Sequence, residues 1–338
     1  MAVSQRVTVS PGILEWARER AKMEIEELLS KQDFQYLREW ENGTRHPTLT
    51  QLEKYAKATC TPIGFFFLSE PLDEPVPLPD FRTHTDPTME RPSAYLLDTV
   101  YLCQQRQAWY REYAQANREE PVAFVGTCST ATVTATVEAV EILRKTLGIR
   151  FPDRDTSPIP ARALPQLASS AEDAGVLVMR NKYVRNSTQN LDPKEFRGFT
   201  LADPYAPLVF VNSADTKTVQ LFTLAQELTH LLLGQTALNT PSLREKPPNE
   251  TEHWCTDVAI EFLLPRHAFE EAIDPMTDLE TEINRLAREL GTSTLLILRR
   301  MHDLGKIDRE NFHATYTSED EKARTIETNQ IRGSRFGE

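Results

Sequence analysis

Apolar positions along the chain recur mostly at helical spacing. Ser10-Pro11 gives a helix start with Pro at the first helical position, and Ile13, Leu14, Ala17 and Ala21 then line one face. Ile25, Leu28 and Leu29 mark a short second helix, and residues 33–41 form a segment that stops at Asn42-Gly43. Pro47-Thr48 opens another helix, TLTQLEKYAKA, followed by the apolar run GFFFL at 64–68. A long helix is predicted over 92–118, with Tyr95, Leu96, Val100, Leu102, Trp109 and Tyr113 as its aromatic and aliphatic positions; two more fit 131–147 and 160–174. Short strands are predicted at 175–179, 196–201 and 208–211, and the helix of QLFTLAQELTHLLLG, 220–234, comes next.

These elements imply an α+β, mostly helical protein. Residues 1–70 read as a helix-turn-helix bundle, and 71–91, rich in proline and punctuated by charge, as a linker that wraps rather than folds. Residues 92–273 read as a minimal zincin-like domain, a small sheet leading into a ligand-bearing helix. In 274–316, Ala287, Gly291 and Ile297 repeat a winged or helix-turn-helix-like rhythm, with Arg299 and Arg300 on its second helix. Residues 317–338 read as a polar, mobile tail.

The chemistry is concentrated between residues 226 and 265. Zinc peptidases of the H-E-x-x-H kind place two His one turn apart on a helix, so that both imidazoles reach one metal. The Glu beside the first takes a proton from metal-bound water. Here Glu227 and His230 hold their places, but the first ligand position is Gln226. A third ligand is expected from a following helix, and NETEHWCTDVAIEFLLP offers Glu252 and, about 100° further round, His253 as a substitute candidate. Burying Gln, Glu, Thr and His in so apolar a helix costs several kcal/mol unless they serve one another or a metal. A neutral amide is a poor exchange for imidazole, so Zn2+ binding is expected to be weak or absent.

Composition narrows the class. No apolar run approaches a membrane span, and the N-terminus lacks a signal-peptide layout. The four cysteines, at 60, 103, 128 and 255, make no C-x-x-C pair, which fits a reducing cytoplasm and excludes a zinc ribbon. A net charge of −12 disfavours non-specific coating of nucleic acid. Residues 1–60 carry nine Lys/Arg against nine Asp/Glu, no basic footprint, and lack the Gly usual at the sharp turn. Specific DNA contact through 1–60 or 285–303 stays open, as does a role for the bundle in docking proteins.

FTLAQELTHLLLGQTAL, followed by E-x-x-C-x-x-x-A-x-E-F-L-L-P from Glu252 to Pro265, closely resembles the ImmA/IrrE family of metallo-endopeptidases. The N-terminal half resembles the XRE-type helix-turn-helix often fused to them, down to LPDFRT at 78–83. The resemblance runs from about residue 10 to 315. It implies a cytosolic zinc protease fold acting on a repressor, or an antitoxin-like component set beside a toxin. By position it makes Glu227 the general base, His230 a zinc ligand and Glu252 the third ligand. Two departures stand out: Gln226 replaces His, and Thr256 stands where Asn usually follows the Cys. The expected function is that of an ImmA/IrrE-type regulatory protein with a weakened or silent peptidase site that binds a repressor or toxin. The alternatives are an active zinc protease cleaving a repressor, and a DNA-binding regulator or antitoxin.

Overall fold

A computed structural model of the chain describes residues 6–79, 92–128, 136–149, 160–184, 190–239, 243 and 249–335. Residues 80–91 of the expected linker, which include 80–83 of LPDFRT, and 131–135 of the expected 131–147 helix lie outside the described residues. The chain divides into two compact units, residues 1–77 with 88–102 and residues 78–87 with 103–338.

The first unit holds α1 (Pro11–Arg20), α2 (Ile25–Leu29), α3 (Leu37–Glu41) and α4 (Leu49–Ala58), with short 3-10 turns at Gln32–Phe34 and Ile63–Phe67. Pro11 starts α1, and Thr48 with Gln51 forms a capping box on α4. Gly43, at φ 77, takes the left-handed position after α3. Phe34, Trp40 and Tyr55 meet edge to face at centroid distances of 5.7–6.5 Å. The Tyr55 hydroxyl donates to the Leu14 carbonyl at 2.9 Å. Each charged side chain of the five-residue α3 has an ion-pair partner inside this unit: Arg38 with Glu26, Glu39 with Arg45 and Glu41 with Arg18.

Helix α5 (Ala94–Ala116) contributes its first residues to this unit and the remainder to the second. The division therefore falls both within the proline-rich stretch, at 77/78 and 87/88, and inside α5, at 102/103. Tyr95, near the start of α5, is buried and hydrogen-bonds Cys60 of the same unit.

The second unit continues with α6 (Thr136–Leu147), α7 (Pro160–Asp173), β1 (Leu177–Asn181), β2 (Gly198–Leu201), β3 (Leu208–Asn212), α8 (Lys217–Leu233), β4 (Ala237–Asn239) and α9 (Glu250–Leu263). Then come α10 (Arg266–Ala272), α11 (Leu279–Glu289), α12 (Thr294–Asp303) and α13 (Arg309–Arg335). The four strands lie in the order β1-β3-β2-β4, with β1 parallel to β3 and β2 antiparallel to both its neighbours. The mixed sheet and the dominance of helix give the α+β, mostly helical class.

Helix α8 packs against β2, β3, α7 and α9. It starts at Thr216, whose hydroxyl accepts from the Val219 amide, and ends at Gly234 with φ 63. Side chains from α11 and α12 (Ile283, Leu286, Ile297, Met301) share one apolar cluster with Leu224, Leu228 and Leu232 of α8. The segment 274–316 is therefore continuous with the core around α8. Gly291, at φ 62, turns α11 into α12.

Two features depart from the sequence expectation. Strand β4 is three residues long, too short for a periodic signal. The stretch from 317 to 335, expected to be a mobile tail, is the second half of α13. Phe312 and Tyr316 anchor that helix in the core, and Lys322 links Glu319, three residues back, to Glu280 of α11 at 2.8 and 2.9 Å.

Candidate functional site

Asn249 caps α9 by accepting from the Glu252 amide at 2.8 Å, which fixes Glu252 in the first turn and points α9 toward α8. Gln226, Glu227 and His230 sit on the middle of α8. All four residues are buried, the most exposed at 3%.

Both Glu252 carboxylate oxygens are engaged from α8. Gln226 Nε2 donates to Oε2 at 2.8 Å, and His230 Nε2 lies 3.1 Å from Oε1. The other ring nitrogen of His230, Nδ1, faces Cys255 Sγ at 3.7 Å. Glu227 points to the sheet, where the Thr200 hydroxyl donates to its Oε2 at 2.6 Å, a length typical of bonds to a carboxylate. That approach depends on Gly198. A β-carbon there would lie 2.9 Å from Glu227 Oε1 and 2.6 Å from Thr223 Cγ2.

Burial alone pulls the His230 pKa down. Cys255 at one ring nitrogen and Glu252 at the other outweigh it and hold the imidazole well above its ordinary value. Burial pushes the Cys255 thiol up, against the pull of His230.

The residues expected at the site are thus split. Gln226, His230 and Glu252 converge, with Glu227 beside them on the strand side. His253 does not join them. Its ring is half exposed and stands 3.8 Å from Asp257, and with Asp257, Glu261, Arg300 and Asp303 it lines a separate cavity of about 380 Å3. The reason is angular: neighbouring helical residues diverge by about 100°, so with Glu252 turned toward α8 the next side chain faces away. Thr200, Gly198 and Cys255 belong to the site but were not singled out from sequence. Only Cys255, one turn after Glu252, carried a local signal.

These side chains do not fit a zinc ion. Among the described residues, no group of three or more His, Cys, Asp or Glu side chains is arranged to hold a metal. Two donors on one tetrahedral zinc lie about 3.4 Å apart at ordinary bond lengths, whereas the Gln226–Glu252 separation is that of a direct hydrogen bond. An amide nitrogen has no lone pair to offer. Gln226 Oε1, the one Gln226 side-chain atom that could ligate, is buried with no hydrogen-bond partner. Turning the amide over would set that oxygen against a carboxylate, so chemistry decides its orientation.

Arg299 and Arg300, candidates for DNA contact, are also buried. Arg299 bonds Asp303 and the Leu243 carbonyl, and Arg300 bonds Glu261 and the Leu264 carbonyl. No helix among the described residues is long and apolar enough to cross a membrane.

The family model described as the IrrE N-terminal-like domain, from a peptidase family, matches residues 171–302. The match covers less than half of the chain, runs from the end of α7 to α12 and contains the whole site. It supports a relationship to the ImmA/IrrE zinc metallopeptidase-like family over that stretch. No curated protein matches the chain.

Proposed function

We propose that this protein is a regulatory relative of the ImmA/IrrE peptidases that binds a partner protein, a repressor or a toxin, without cutting it. One observation carries the reading. The Glu252 carboxylate, expected to hold zinc, is taken up by the amide of Gln226 and the imidazole of His230. Without a metal to polarise a carbonyl or to activate water, Glu227 has no hydrolytic partner.

Partner binding draws support from α5. Trp109 is 68% exposed and stacks on Tyr113, with centroids 6.1 Å apart and planes at 19°. Exposed aromatics of this kind are favoured as interface anchors. DNA reading is less well supported, because the charges of α3 and the arginines of α12 are already paired.

The test is to incubate the purified chain with zinc and with candidate repressor or toxin partners. The reading expects a stable complex and intact partner. Cleavage that disappears in Glu227→Gln would overturn it in favour of an active protease.

A further inference from the structure

Buried polar side chains destabilise a fold unless each finds a partner. Gln226 Nε2 and His230 Nε2 on α8 and both carboxylate oxygens of Glu252 on α9 meet this requirement across the packed face between the two helices, with Gln226 Oε1 left unbonded. In a metal enzyme, the ion itself ties such helices together and its binding energy adds to folding. Removal of a ligand would ordinarily leave a carboxylate short of a partner in the interior. Glutamine meets the need: its amide nitrogen donates to one Glu252 oxygen while His230 donates to the other.

The geometry points to a metal-independent clamp. The Gln226–Glu252–His230 cluster replaces zinc as the tie between α8 and α9, so that the peptidase-like unit folds without divalent metal. Donor and acceptor, rather than mere size, define the clamp. Exchanging the two partners, Gln226→Glu with Glu252→Gln, keeps both hydrogen bonds. The carboxylate introduced at position 226 would accept from the new amide at position 252, and His230 would donate to the carbonyl oxygen of that amide. Gln226→Glu alone removes a bond by setting two carboxylates together, whereas Glu252→Gln alone leaves two neutral amides in place of a charge-assisted pair.

The clamp rests on the proposed metal-free site only where chelator is compared with zinc; the exchange experiment is run wholly in chelator and stands apart from that reading. Hydrogen exchange of residues 217–233 and 250–263 in the full chain is the readout, because it reports α8 and α9 separately from the N-terminal unit. In the unmodified chain, protection should be the same in EDTA and in excess zinc. Gln226→Glu should speed exchange by about tenfold or more, and the double exchange should recover most of that loss. If EDTA alone loosens α8 and α9, a metal holds them and the clamp is wrong. If the two substitutions simply add, Gln226 and Glu252 are not coupled and the clamp is equally wrong. The chelator comparison needs no variant, so the inference stays testable even where a single substitution fails to fold.

Discussion

Gln226 Nε2 lies 2.8 Å from Glu252 Oε2, a hydrogen bond between two helices at the place where the related peptidases are expected to bring their ligands to zinc. Gln226 is buried and its carbonyl oxygen has no partner. The amide is engaged through its donor, and its potential ligand atom makes no hydrogen bond.

Restoring imidazole at position 226 should therefore restore metal. In Gln226→His, two rings one turn apart would face Glu252, and zinc affinity should rise by orders of magnitude over the unmodified chain. Isothermal titration with zinc in a weakly chelating buffer reads this directly. Adding Glu227→Gln should leave that affinity nearly unchanged, because Glu227 bonds Thr200 rather than the ligand cluster. Equal loss of metal in the double variant would place Glu227 among the ligands.

Gly198 should not tolerate a side chain. An alanine β-carbon would meet Thr223 Cγ2 at 2.6 Å and both Glu227 Oε1 and the Phe210 carbonyl at 2.9 Å. Overpacking of this degree costs about 1–3 kcal/mol. Urea unfolding followed on the second unit should show the loss, and an unchanged midpoint would mean that β2 and α8 are not so closely apposed.

How far the sequence discloses this site depends on the range of each signal. The apolar run and Gly234 make α8 legible, and the E-x-x-H spacing identifies Glu227 and His230. Glu252 is legible at the start of the next helix, where the E-x-x-C spacing falls. Thr200 and Gly198 are not. They reach Glu227 through the packing of β2 on α8, for Thr200 across 27 residues of chain, and one Thr and one Gly in a four-residue strand carry no periodicity. Nor can a sequence show which way an amide turns; that orientation comes from the carboxylate opposite it. Arg299 and Arg300 look like a basic helix face in sequence, yet Asp303 and Glu261 bind them within the fold.

Arg300→Ala should act on stability. Its guanidinium bonds Glu261 at 2.8 Å and the Leu264 carbonyl, and burial lowers its pKa. Removing one partner of a buried pair costs about 3–5 kcal/mol. Thermal unfolding should fall accordingly while retention on heparin or duplex DNA stays as it was. A stable variant with weakened DNA binding would show that the arginine faces phosphate instead.

Cys103 gives a pH signature. Burial pushes its thiol up to about 12, with Arg106 pulling the other way, while an unfolded thiol titrates near about 8.5. The fold favours the neutral thiol, so this contribution is complete below the unfolded value and is lost as pH rises from there toward the folded one. Cys103→Ala should therefore lose less stability than the unmodified chain between about pH 9 and 11. Parallel stability curves for the two proteins would contradict that assignment.

The most direct measurement is the zinc content of the unmodified chain, purified without chelator and equilibrated with zinc before exhaustive dialysis. Elemental analysis should find well under one equivalent per chain, since Gln226 and His230 already occupy both oxygens of Glu252. One full equivalent, lost on Glu252→Ala, would mean that the carboxylate binds metal after all, and the account of a metal-free regulatory site would fail.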